Sequence, residues 1–139
     1  MKNIKGFNYN KTEYMYIRKY EDSKWNEGEL TKDENITISA MSTSLHYGQQ
    51  AFEGLKAYKN TKGEINLFRV KDNAKRFRKS CERLLMPAIP EEEFVDAVKK
   101  VVLANDHNHL VYGNPLSNTY YNLNACIGSF HNYAITVRC

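Results

Sequence analysis

The 139 residues predict an α+β domain, and three observations point to it. Short aromatic and β-branched stretches fill the first half of the chain, as strands require. After Arg69 the apolar residues change to a helical period and hold it through two stretches. Strand-like segments thus come first and helical ones follow, an order typical of α+β domains rather than of alternating α/β folds.

Tyr14-Met15-Tyr16-Ile17-Arg18-Lys19-Tyr20 suits a strand, and a polar turn containing Trp25 and Gly28 follows it. Ile36-Thr37-Ile38 reads as a second short strand. Residues 51–58 and 64–69 form a strand pair across Lys59-Asn60-Thr61-Lys62-Gly63, with Gly63 free to take positive φ. Gly54 inside the first of these marks a bulge or a close backbone approach. Ala74, Phe77, Cys81, Leu84 and Leu85 then share one helical face. Asp72 or Asn73 can cap that helix, and Pro87 discourages its continuation. A second helix is expected over 91–104, striped by Phe94, Ala97, Val98, Val101 and Val102. Glu91, Glu92 and Glu93 stand at its positive end. Beyond residue 113 the chain is rich in Asn and Tyr, with Tyr133-Ala134-Ile135-Thr136-Val137 fitting an edge strand.

Composition narrows the function classes. The chain is 42% hydrophobic and 26% charged, the proportions of an ordinary soluble protein. No apolar run nears the roughly 20 residues that span a bilayer, and Met1-Lys2-Asn3-Ile4-Lys5 has no signal-peptide core. No membrane partner and a cytoplasmic location are the expectation. Cys81, Cys126 and Cys139 are widely and irregularly spaced, which suggests neither a disulfide framework nor a metal site, and Cys81 falls on a core face. The net charge of +4 is spread among Glu and Asp, so no nucleic-acid partner is expected.

The run His46-Tyr47-Gly48-Gln49-Gln50 followed by Phe52-Glu53-Gly54-Leu55-Lys56-Ala57-Tyr58, with Asn73-Ala74-Lys75-Arg76-Phe77 further on, carries the chemistry. These motifs resemble those of branched-chain amino acid aminotransferases, class IV enzymes dependent on pyridoxal 5'-phosphate (PLP). The resemblance covers about residues 7–105. It implies the small N-terminal domain of the class IV, D-amino acid aminotransferase-like fold: a mostly antiparallel sheet with two helices. It implies that Arg76 holds the cofactor phosphate, a task suited to a planar guanidinium that can donate two parallel hydrogen bonds. It places Tyr47 in the substrate pocket, donated across a homodimer interface. Phe52 and Phe7 match pocket aromatics, with plain core packing as the other reading for each. His46 receives no acid–base role and reads as packed beside the strand. Glu53 and Lys56 read as structural polar residues of the motif.

The intact enzyme of the family moves an amino group between Leu, Ile or Val and 2-oxoglutarate, yielding glutamate. Its cofactor-bearing lysine belongs to a larger domain, and no lysine follows Lys100 here. Lys56, Lys75, Lys99 and Lys100 occupy motif or surface-helix positions. Accordingly no catalytic residue is assigned, the larger domain is expected to be absent, and the chain alone is expected to be inactive. The domain reading is 1–113 for the small domain and 114–139 for a divergent or frame-shifted tail. There Tyr121 aligns with a substrate-binding tyrosine while Leu123 stands where arginine belongs. Other readings are a non-catalytic truncated protomer that pairs with a full-length enzyme, or another class IV enzyme such as a D-amino acid aminotransferase or aminodeoxychorismate lyase.

Overall fold

The computed structural model describes residues 12–106, 119–130 and 132–138, with side chains over 12–106. Strands β1 (Met15–Glu21), β2 (Lys24–Trp25) and β3 (Glu29–Thr31) precede a single-turn helix α1 (Thr43–Tyr47). Strands β4 (Gln50–Lys59) and β5 (Ile65–Leu67) lead into helices α2 (Val70–Arg83) and α3 (Glu91–Asn105). Strands β6 (Thr119–Phe130) and β7 (Asn132–Arg138) complete the chain. One sheet runs in the order β2-β1-β7-β6-β4-β5, β3 also pairs with β1, and every described pairing is antiparallel.

The core lies between this sheet and helices α2 and α3. Along β4, Ala51, Glu53, Leu55 and Ala57 are buried while Phe52, Gly54 and Lys56 alternate outward. Phe77 and Phe94 face each other across the two helices with ring centroids 5.2 Å apart. Cys81, Val98, Val101, Ile89 and Met86 fill the remaining space. Polar ties fix the layers. Asn105 at the end of α3 accepts from the Tyr14 amide and donates to the Tyr14 carbonyl, at 3.0 and 2.9 Å. Arg78 on α2 reaches Glu91 at the start of α3 at 3.0 Å, and Arg18 on β1 pairs with Glu93.

The strand pair of β4 and β5, its loop with Gly63 at φ +82, and the α3 helix with its acidic first turn stand as the sequence predicts. Other expectations change. Residues 36–38 form no strand. Asp22 and Ser23, both at positive φ, turn the chain within two residues. Trp25 therefore sits in a strand, and β3 takes the place beside β1. Gly54 is no bulge: β4 and β6 pair without a break from Gln50 to Lys59. The nearest atoms to a Cβ at Gly54 belong to the Phe52 ring at 3.7 Å, ordinary contact. Helix α2 starts at Val70, after Arg69 in the left-handed region with no side-chain cap. Asp72 pairs with Arg69 and Asn73 with Glu53, so neither caps the helix. Leu84 and Leu85 fall beyond the helix end and are exposed, with Leu85 at φ +55. The short helix α1 makes three helices rather than two among the described residues. Strand β7 is interior, between β1 and β6, rather than an edge strand. Local propensity identifies a strand but does not reveal its neighbours.

Candidate functional site

The motif residues assemble from three elements. Helix α1 is too short to persist without caps, and the motif supplies them. The Ser42 hydroxyl accepts from the Ser44 amide at 3.2 Å, and Gly48 closes the other end at φ +62, where its amide bonds the Thr43 carbonyl. Gln49 then locks the turn: Thr43 Oγ1 donates to its side-chain oxygen at 2.6 Å, and its amide nitrogen donates to the Leu84 carbonyl at 2.9 Å. Gln50 Nε2 donates to the Ser44 carbonyl at 3.2 Å. The consequence is a fixed turn that holds Tyr47 out into solvent, 84% exposed. His46 is exposed on the same turn rather than packed beside the strand, with its Nε2 2.6 Å from the Ala40 carbonyl oxygen.

Phe52 is 64% exposed on the outer face of β4 and therefore lies outside the core. Glu53, its neighbour, points the opposite way and is buried. A buried carboxylate must be paired and hydrogen-bonded. Arg76 and Asn73, three residues apart on α2, meet that need from one helix face. Arg76 Nε donates to Glu53 Oε2 at 2.8 Å, Arg76 Nη2 donates to Oε1, and Asn73 Nδ2 donates to Oε1 at 2.9 Å. Asn73 Nδ2 also lies 3.3 Å from the Gly54 carbonyl. The Glu53 contact raises the Arg76 pKa further above its ordinary value, so the guanidinium is permanently charged.

The pairing uses the Nε–Nη2 side of the guanidinium. Nη1 and the second Nη2 hydrogen are left on the far edge, and the Arg76 side chain is 66% exposed. That edge matches two oxygens of a phosphate. Glu53 balances the charge of Arg76, so an anion held at that edge would need further donors. The structure thus joins Arg76 with Glu53 and Asn73, places Phe52 on the opposite face of β4 from Glu53, and sets Tyr47 at the exposed end of α1. Phe7, Tyr112-Gly113, and the side chains of Tyr121 and Leu123 lie outside the described residues. Glu53 is a buried structural polar residue, as the motif implies, and its pairing with Arg76 is what the sequence does not announce. It stands 23 residues from Arg76, and an acidic residue inside an alternating strand was the only available signal.

No family model matches the chain. A branched-chain-amino-acid aminotransferase of Haemophilus influenzae is 55% identical over 100 residues, covering 72% of this chain and 29% of that protein. Among solved structures, the branched-chain amino acid aminotransferase from Escherichia coli superposes with a TM-score of 0.66 at 20% identity. It covers 92% of this chain and 40% of its own. The enzyme from Thermobaculum terrenum in its PLP form gives a TM-score of 0.63 at 20% identity, with 92% and 40% covered. The fold is that of part of a class IV aminotransferase. In sequence, the chain is a relative of the branched-chain-amino-acid aminotransferases across 72% of its length. It spans about three tenths of the curated relative it matches.

Proposed function

We propose that this chain supplies the small-domain part of a PLP-dependent branched-chain aminotransferase, which transfers the amino group of Leu, Ile or Val to 2-oxoglutarate. The observation that carries the reading is the exposed guanidinium of Arg76, held from beneath by a buried carboxylate with two donor positions left over. The sequence identity to branched-chain enzymes and the fold shared with a PLP-form enzyme support it. When bound, PLP supplies an electron sink for the substrate α-carbon and a carbonyl that exchanges the amino group. Arg76 binds the phosphate and fixes where the ring lies. Phe52 and Tyr47, both exposed here, form apolar walls that exclude water from the substrate side chain. Each methylene so covered contributes about 0.8 kcal/mol. Phe7 belongs to the same pocket on the resemblance alone. In the assembled enzyme Tyr47 serves the neighbouring subunit of a homodimer.

The proton-transferring lysine and the remaining phosphate donors belong to a larger domain. A polypeptide of these 139 residues alone is accordingly expected to show no turnover. The test is a chimera in which residues 12–106 replace their counterpart in the Haemophilus relative. Leucine-dependent glutamate formation by the chimera, with none by the 139-residue polypeptide, supports the reading. A folded chimera that transfers nothing, beside an active parent, refutes it.

A further inference from the structure

We infer that Glu53 is a positioning residue for phosphate binding: it clamps one edge of the Arg76 guanidinium so that the other edge is held ready for the phosphate, and Asn73 holds Glu53 in turn. The inference rests on the reading of Arg76 given above. Three observations carry it. Glu53 is buried within a layer otherwise made of Ala51, Leu55 and Ala57, where a charge is costly. Its two oxygens receive three donors, from Arg76 Nε at 2.8 Å, from Arg76 Nη2, and from Asn73 Nδ2 at 2.9 Å. The guanidinium it holds is itself mostly exposed. An exposed arginine held by nothing samples many rotamers, and an anion that captures it must freeze them. Here two parallel hydrogen bonds have already fixed the plane of the group.

Positioning and simple electrostatics predict opposite signs. Removing the Glu53 charge raises the local positive potential, so charge alone makes Glu53→Gln bind phosphate more tightly. Loss of the clamp makes it bind more weakly. The experiment titrates pyridoxamine 5'-phosphate, which lacks the aldehyde that would label lysines, into the 139-residue polypeptide at millimolar concentration. The readouts are the Arg76 Nε–H signal by NMR, assigned by its loss in Arg76→Gln, and the phosphorus shift of the probe, which gives the apparent Kd for every variant. In the wild type a resolved signal shifts on titration. In Glu53→Gln that signal is expected to merge with those of solvent-averaged arginines, and the apparent Kd to rise about threefold or more. Where Glu53→Gln fails to fold, Asn73→Ala decides, with a smaller rise expected. Binding that is unchanged or tighter in the deciding variant overturns the role of Glu53 and leaves the reading of Arg76 standing. If Arg76→Gln binds the probe as the wild type does, or the wild type shows no shift, the reading of Arg76 falls and this inference with it.

Discussion

At Glu53 a carboxylate sits in the core layer because two residues of α2 reach across to it. Truncating Arg76 to Ala leaves that carboxylate with Asn73 as its remaining partner from this set. The expected cost is about 1–3 kcal/mol, the usual penalty for an under-satisfied buried acceptor. In Glu53→Gln the same truncation should cost much less, and a double-mutant cycle by denaturant unfolding measures the difference. Cys81 offers a second check at this scale. Burial pushes its thiol up to about 11 from 9.0, so the folded chain keeps a proton that the unfolded chain loses. Its stabilising effect is full below about pH 9 and disappears as pH rises through 11. Stability of Cys81→Ala should therefore fall less steeply across that window than stability of the wild type. Asp72 has the opposite sign. Its carboxyl is held below 3.8 by Arg69, and that pair's small contribution is lost as acid protonates it. Helical spacing made the buried place of Cys81 legible, and the motif singled out Arg76 as a candidate. The structural place of Glu53 is legible too, but its partners are not, because they stand 20 and 23 residues away and no local pattern announces them.

Among the elements, the glycines decide where the chain turns. Gly48 ends α1 at φ +62 with open space around it, so Gly48→Ala meets strain but no collision. A loss of about 1 kcal/mol is expected from the left-handed backbone alone. Gly28 is different. At φ +74 a Cβ would fall 2.2 Å from the Tyr16 hydroxyl, which donates to the Glu27 carbonyl at 2.8 Å. Gly28→Ala must break that bond as well as strain the turn, and thermal unfolding should show a loss of about 2–3 kcal/mol. If Gly28→Ala costs no more than Gly48→Ala, the packing described around β3 is wrong. The helices α2 and α3 could be read from their stripes, whereas α1 could not. Five residues carry too little periodicity, and its stability comes from Ser42, Gly48 and Gln49 acting as caps and ties. The strand expected at 36–38 failed for a related reason. Alternating apolar residues describe a strand only where a partner edge is available, and β3 already takes that edge of β1.

For the molecule as a whole, the sheet is assembled from both ends of the chain. Strands β6 and β7 lie between β1 and β4, so among the described residues the two halves of the sheet are joined through these two strands. The structural likeness covers 92% of the chain, more than residues 1–106 amount to, although sequence identity covers 72%. A fragment ending at residue 113 should therefore lose cooperative unfolding, since β1 and β4 are left in separate ribbons. A sharp transition with an undiminished denaturant slope in that fragment would show the tail to be dispensable. This arrangement was illegible in the sequence, because the β1–β7 and β4–β6 pairings join residues 60 or more apart. The α+β class, by contrast, followed directly from the change of apolar period after Arg69. No helix among the described residues is long and apolar enough to cross a membrane.

The most direct test of the central claim, that Arg76 anchors the cofactor phosphate, is PLP retention by the chimera carrying residues 12–106 in the Haemophilus relative. Equilibrium dialysis should show that Arg76→Gln loses about tenfold to a hundredfold in affinity, the worth of charge-assisted hydrogen bonds to phosphate. Equal retention of PLP by the chimera and its Arg76→Gln variant, both folded, contradicts the claim.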